Sequence, residues 1–249
     1  MLFFKRILKE PAAEAGRAVV RKERRSDRRL PIGPQFPLQA VLSFDRRGGS
    51  LAPMSAPGWD WPGQLINCSE VGARIRLGAG ALASRGDFCE LQLDLEGFEL
   101  TLPCRITNTR VERDGIHFGL KHDIERAAVA VTYRQLLEIV ALGATLKLES
   151  RAVKPDGSGL LVEQYGGDCQ SRLKIWREIS DRKVTAFEFL LKDCLVRAVK
   201  GQPAEYLTDA RQATPAKAVE IKRLFNWVLP NLAPTVPEDV REFLRQYAG

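Results

Sequence analysis

Between Pro37 and His122 the sequence is a succession of short runs in which apolar and polar residues alternate, each ended by turn-forming residues. The runs are Leu38–Phe44, Gln64–Cys68, Ala73–Leu77, Phe88–Leu95, Phe98–Thr109 and Gly115–Lys121. A period of two with one buried face is the pattern of antiparallel strands, and six in a row predict a small closed barrel or a sandwich. Glu96-Gly97 and Asp114-Gly115 each sit between two such runs, where glycine supplies the positive φ of a tight hairpin. Arg46–Pro62, rich in Gly, Pro and Ser and carrying Trp59 and Trp61, predicts a long loop.

Beyond Asp123 the period changes. Ile124, Ala127, Val131, Leu136, Leu137 and Val140 follow helical spacing with no Gly or Pro before Gly143, so a helix of several turns closes the first module. β-type runs return at Thr145–Val153, Gly159–Gln164, Leu173–Ile179 and Val184–Ala198, with turns at Pro155-Asp156-Gly157, Gly166-Gly167 and Ser180-Asp181. The last fifty residues read as helical, with Thr214-Pro215 as a cap followed by proline in the first turn, and a stripe at Val240, Phe243, Leu244 and Tyr247. The expected fold class is mainly β with α: an antiparallel barrel or sandwich of six strands with a following helix, then a C-terminal α+β module. The expected divisions are an N-terminal basic segment over 1–22, the barrel over 23–142 and the second module over 143–249.

Charge narrows the partners. Residues 1–29 hold ten basic and four acidic side chains, which is six of the chain's seven net positive charges. The remainder is nearly neutral, so a polyanion-binding surface over the whole protein is not expected. Five cysteines without a CxxC pair argue against a disulfide framework and a zinc ribbon, and fit a reducing cytoplasm. Met1–Leu8 is too short and too charged for a signal peptide, and no transmembrane segment is expected. Weak membrane-surface contact through Leu2, Phe3, Phe4, Ile7 and Leu8 ranks below a docking helix or a disordered terminus.

Signals for catalysis are weak. The two histidines, His117 and His122, are five apart and fall on opposite faces of a strand, where they share neither a metal nor a substrate. Gly78-Ala79-Gly80-Ala81-Leu82-Ala83 matches GxGxxA, but the next β run begins by Phe88 and leaves no room for a crossover helix. No metal site and no enzyme activity are expected.

Two other motifs stand in a telling order. Glu23-Arg24-Arg25-Ser26-Asp27-Arg28-Arg29 contains two RxxxR frames, Arg24 with Arg28 and Arg25 with Arg29, just ahead of the first strand. Asn67-Cys68-Ser69-Glu70-Val71-Gly72-Ala73 is an [DN]xSxxGA pattern between two β runs. Each alone is bland: one reads as a solvated basic arm, the other as an ordinary turn. Together, on a small antiparallel barrel, they resemble the PilZ domain family, bacterial receptors for cyclic di-GMP. The resemblance covers about Glu23–Val140.

It implies a six-stranded barrel with the ligand held between the arginine lead-in and the [DN]xSxxG turn. Arg25 and Arg29 match the arginine pair best, Arg24 and Arg28 are the rival frame, and Asn67, Ser69 and Gly72 match the second motif. The chemistry agrees, because guanidinium forks fit phosphodiester oxygens and the guanine O6/N7 edge. The resemblance further implies no cofactor, a protein effector reached through the C-terminal module, and a cytoplasmic role in motility or biofilm regulation. A nucleic-acid-binding protein using the basic arm is the first alternative, although no RNA-reading aromatic motif supports it. A PilZ-shaped structural adaptor that binds no nucleotide is the second.

Overall fold

A computed structural model of the chain describes residues 28–44, 60–154 and 159–249. The chain divides into two compact units, one ending at Leu137 and the other running from Glu138 to Gly249.

In the first unit, β1 (Leu30–Pro31), β2 (Leu38–Phe44), β3 (Asp60–Ser69), β4 (Gly72–Leu77), β5 (Phe88–Leu95), β6 (Phe98–Glu112) and β7 (Gly115–His122) form one antiparallel sheet. Its order is β1-β3-β2-β5-β6-β7-β4, and β4 pairs back onto β3, which closes six strands into a barrel with β1 added along β3. Closure leaves the six barrel strands without a free edge. Alternation sends Leu42, Leu65, Ile75, Leu91, Leu102 and Phe118 into a dry interior, each exposed by 2% or less. Both expected hairpins are present: Glu96 and Gly97 take φ of 48° and 85°, and Gly115 takes 138°.

The helix α1 (Ala127–Ala144) follows and runs without a break across the division between the units. By length and composition it is apolar enough to span a membrane. Tyr133, Leu136, Leu137, Ile139, Val140, Ala141 and Leu142 are buried, whereas Val131 in its first half is exposed.

The second unit is a seven-stranded antiparallel meander in chain order: β8 (Lys147–Val153), β9 (Leu160–Gly166), β10 (Ser171–Glu178), β11 (Val184–Leu191), β12 (Cys194–Val199), β13 (Glu205–Thr208) and β14 (Arg211–Gln212). Helices α2 (Pro215–Val228) and α3 (Glu238–Arg245) belong to this unit. Thr214 caps α2, accepting from the Lys217 amide at 3.4 Å, and Pro215 takes the first helical position as the sequence predicts. Phe187 stacks on Phe225 at 5.9 Å and meets Phe243 edge-on at 6.2 Å, so one sheet side chain anchors both helices.

Three features depart from the sequence expectation. The run Val184–Ala198 is a hairpin, β11 and β12, turned at Lys192 with φ of 66°, a position that glycine would have advertised. Residues 205–212 add two short strands ahead of α2. β3 begins at Asp60, so Trp61 and Pro62 belong to a strand; Pro62 stands opposite Val41 of β2, one residue before the β3–β4 pairing starts at Gly63. The turn at Pro155-Asp156-Gly157 lies outside the described residues.

An ion cluster locks β9 and β10 to α3. Arg177 donates from Nε to Glu163 Oε2 at 3.0 Å, from Nη1 to the Arg182 carbonyl at 2.9 Å and from both Nη atoms to Asp239. Glu163 and Arg177 are 2% and 5% exposed, so an unpaired charge here would stay desolvated. Arg177→Met is expected to lower stability by about 3 kcal/mol, the low end for a buried pair because Arg151 still meets Glu163 at 2.7 Å; urea unfolding followed by circular dichroism checks it.

Candidate functional site

The second motif forms the β3–β4 hairpin itself. The register runs Leu65↔Ile75, then Asn67↔Arg74, Cys68↔Ala73 and Ser69↔Gly72, with Ile66 inserted as a bulge. The bulge matters because one extra residue resets the alternation just before Asn67. Asn67 and Arg74 then face outward side by side, while Cys68 and Ala73 point into the core.

The lead-in reaches the same hairpin. β1 pairs with β3 through Leu30↔Cys68 and Pro31↔Asn67, and the Ile32 amide donates to the Ile66 carbonyl at 3.0 Å. Arg29 and Arg28 precede Leu30, so the antiparallel register directs them toward Ser69 and Glu70, and both are exposed. The structure therefore brings Arg28, Arg29, Asn67, Ser69 and Gly72 to one end of the barrel wall. Arg24 and Arg25 lie outside the described residues, as do the basic segment over 1–22 and Trp59.

Gly72 is required by a neighbouring strand and not by a left-handed turn. Its φ is not in the left-handed region; instead, a Cβ at this position would run into the Leu120 carbonyl oxygen of β7. Close approach of backbone to backbone is what demands glycine here. Ser69 is 4% exposed and its hydroxyl donates to the Gly72 carbonyl at 3.2 Å, bracing the turn. Asn67 Oδ1 is buried without a hydrogen-bond partner, an acceptor in need of a donor.

Side chains that sequence reasoning passed over border the hairpin. Arg74 donates to Glu112 at 2.7 Å, and Arg76 donates to Asp114 at 2.5 Å and to Gln64. His117 Nε2 lies 3.2 Å from Asp114 Oδ1 and 3.7 Å from Glu112 Oε2. Arg76 and His117 hold the Asp114 carboxyl down to about 2. The ligand atoms of Glu112, Asp114 and His117 fall within 4.8 Å of one another. With Arg74 and Arg76 already on the carboxylates, the group is an ion-pair network rather than a vacant cation cage. Their signal in the sequence is only that Arg74 and Arg76 fall two and four residues beyond Gly72, on the outward phase of the strand.

A cleft of about 460 Å³ lies beside the lead-in, lined by Ile32, Phe36, Gln39, Val41, Pro62 and Gln64 among others. Its lining carries no charge, so it offers nothing to a phosphate; the charged groups sit on the open surface around the hairpin.

Beneath the hairpin, His122 and Tyr133 meet edge to face at 4.7 Å. Neither nitrogen of His122 has a partner in good geometry, and burial depresses its pKa to about 4, with the Glu70 backbone pulling the other way. As expected from their spacing, the two histidines face opposite sides of β7, His122 inward and His117 outward.

A sequence model of the PilZ domain matches residues 20–141. This chain carries a PilZ domain. Among solved structures, the PilZ domain of CeSA from a cellulose-synthesizing bacterium matches at TM-score 0.32 and 19% identity, covering 44% of this chain and 93% of that one. The PilZ domain with c-di-GMP of YcgR from Escherichia coli matches at TM-score 0.34 and 9% identity, covering 46% and 88%. Comparison with curated proteins gives no match.

Two outcomes follow for this PilZ domain. Gly72→Ala is expected to cost about 1–3 kcal/mol, because the Leu120 backbone has to give way; thermal unfolding measures it. His122 is neutral when folded, so its contribution is complete above its ordinary pKa of 6.5 and is lost as pH falls toward 4. Between pH 7.5 and 5 this loss amounts to about 2 kcal/mol in urea titrations, and His122→Phe removes that share of the slope.

Proposed function

We propose that this protein is a non-catalytic receptor for cyclic di-GMP that couples binding at the β3–β4 hairpin to a change in how its second unit or a protein partner is presented. The observation that carries the reading is the convergence of Arg28 and Arg29 with Asn67, Ser69 and Gly72 at one end of a PilZ barrel. Cyclic di-GMP carries two phosphodiesters and two guanines. Planar guanidinium forks bind the phosphates and the guanine O6/N7 edge, as a lysine ammonium does less well. The guanine N1–H and N2–H₂ edge offers donors, and the unpaired Asn67 Oδ1 is a buried acceptor beside the arginines. Ser69 adds a hydroxyl whose present partner is only its own turn.

Arg28 and Arg29 precede a strand of only two residues, Leu30–Pro31, so a ligand that anchors them adds order where the sheet contributes little. We place the protein in the cytoplasm, where its five cysteines, all free and four of them buried, remain reduced.

Calorimetry with cyclic di-GMP tests the reading. Binding at micromolar protein is expected, weakened tenfold or more by each pair Arg25→Ala with Arg29→Ala or Arg24→Ala with Arg28→Ala that touches the ligand, and less by Ser69→Ala. The pair with the larger effect identifies the frame. No heat of binding, or binding indifferent to both pairs, overturns the proposal. Affinity for duplex or single-stranded nucleic acid that collapses with salt and ignores Ser69→Ala would assign the basic arm to that partner instead.

A further inference from the structure

The underside of the hairpin is built as deliberately as its outer face. Tyr133 of α1 is 2% exposed, and its hydroxyl donates to the main-chain carbonyl of Ser69 at 3.0 Å, a link across 64 positions of sequence. The Cys68 thiol lies against the same hydroxyl. The His122 amide donates to the Val71 carbonyl at 2.9 Å, and Gly72 lies against the Leu120 carbonyl. On the rim, Arg134 Nε stands 3.8 Å from Glu70 Oε1. Ser69, Glu70, Val71 and Gly72 are thus each held from α1 or β7, and two of the four, Ser69 and Glu70, are held by consecutive residues of the helix.

We propose that Tyr133 is a positioning residue that fixes the Ser69–Gly72 turn to α1, so that ligand affinity and the setting of the helix are reciprocally coupled. This inference rests on the cyclic di-GMP reading for its ligand, but the tie itself is a property of the free protein.

The physical argument is one of stiffness. A carbonyl in a four-residue turn moves when its own side chain is taken by a ligand, and Ser69 presents hydroxyl and carbonyl from the same residue. The hydroxyl now closes the turn onto Gly72 at 3.2 Å; a ligand that captures it frees the turn to rotate about the residue whose carbonyl Tyr133 holds. The phenol cannot swivel to absorb that motion, because its ring is packed edge-on against His122 with the planes at 87°. The displacement therefore passes to the helix axis. One turn onward is Leu137, and α1 continues unbroken to Ala144, where Asn231 Nδ2 donates to the Val140 carbonyl at 3.3 Å and Gly143 packs closely against Val228. Thermodynamic linkage then requires that whatever shifts the helix shifts affinity by the same factor.

Tyr133→Phe tests the tie because it deletes one hydroxyl and keeps the ring on His122. Tyr247→Phe is the matched control, since Tyr247 likewise donates to a carbonyl, Val199, at 3.1 Å, but in the other unit. The expected result is that cyclic di-GMP slows amide exchange in both the 69–73 peptide and α1 of the wild-type protein. In Tyr133→Phe the affinity falls about two- to tenfold and the protection stays confined to the turn, while Tyr247→Phe behaves as wild type. A Tyr133→Phe protein that binds with unchanged affinity and still protects α1 overturns the inference. If wild-type protein binds no cyclic di-GMP, the ligand reading fails, and the tie is judged in free protein: Tyr133→Phe must speed exchange of the 69–73 amides where Tyr247→Phe does not, and equal rates overturn it.

Discussion

Closure of the barrel through β3 and β4 is the constraint on which the rest depends. Six strands can close only if the last-placed pair, β3–β4, meets in register with β7 on one side and β2 on the other. That pair carries one residue too many, Ile66, and the bulge puts Asn67 on the outer surface while returning Cys68 to the core. Were Ile66 paired in the ladder instead of bulged out of it, strict alternation would turn Asn67 toward the apolar interior and Cys68 outward. The site is therefore a by-product of how the barrel closes, which is why a turn and not a pocket presents it.

The electrostatics follow the same geography. Outward residues of β4, β6 and β7 neutralise one another, Arg74 with Glu112 and Arg76 with Asp114, and leave His117 pressed against the carboxylates. Such half-exposed pairs add little stability in water. What they do achieve is to cancel much of the field of the barrel wall next to the hairpin, where Arg29 and Arg28 run in register toward Ser69 and Glu70.

The strands of the barrel were legible because each has one dry face: the alternation of Leu91, Leu93 and Leu95 against Glu90, Gln92 and Asp94 leaves no other reading of β5. The hairpin motif was legible only in company, because it follows the RxxxR frames and sits between two β runs. Three things were hidden. Lys192 turns a hairpin in a left-handed conformation without glycine, which no propensity announces. Gly72 is demanded by the β7 backbone, a neighbour that only the folded barrel supplies. Tyr133 is one apolar residue among many in an apolar helix, and nothing local marks its hydroxyl as the partner of a carbonyl 64 positions away.

Helix α1 shows how such a residue escapes notice. An ordinary surface helix has an apolar stripe and a polar remainder. Here the chain divides within the helix, at Leu137, so the residues before and after it are buried in different units and their apolar faces need not coincide. Tyr133 serves the first unit through Ser69, and Val140 serves the second through Asn231. By length and composition the helix resembles a membrane span, while Tyr133, Leu136, Leu137, Ile139 and Val140 are buried within the protein.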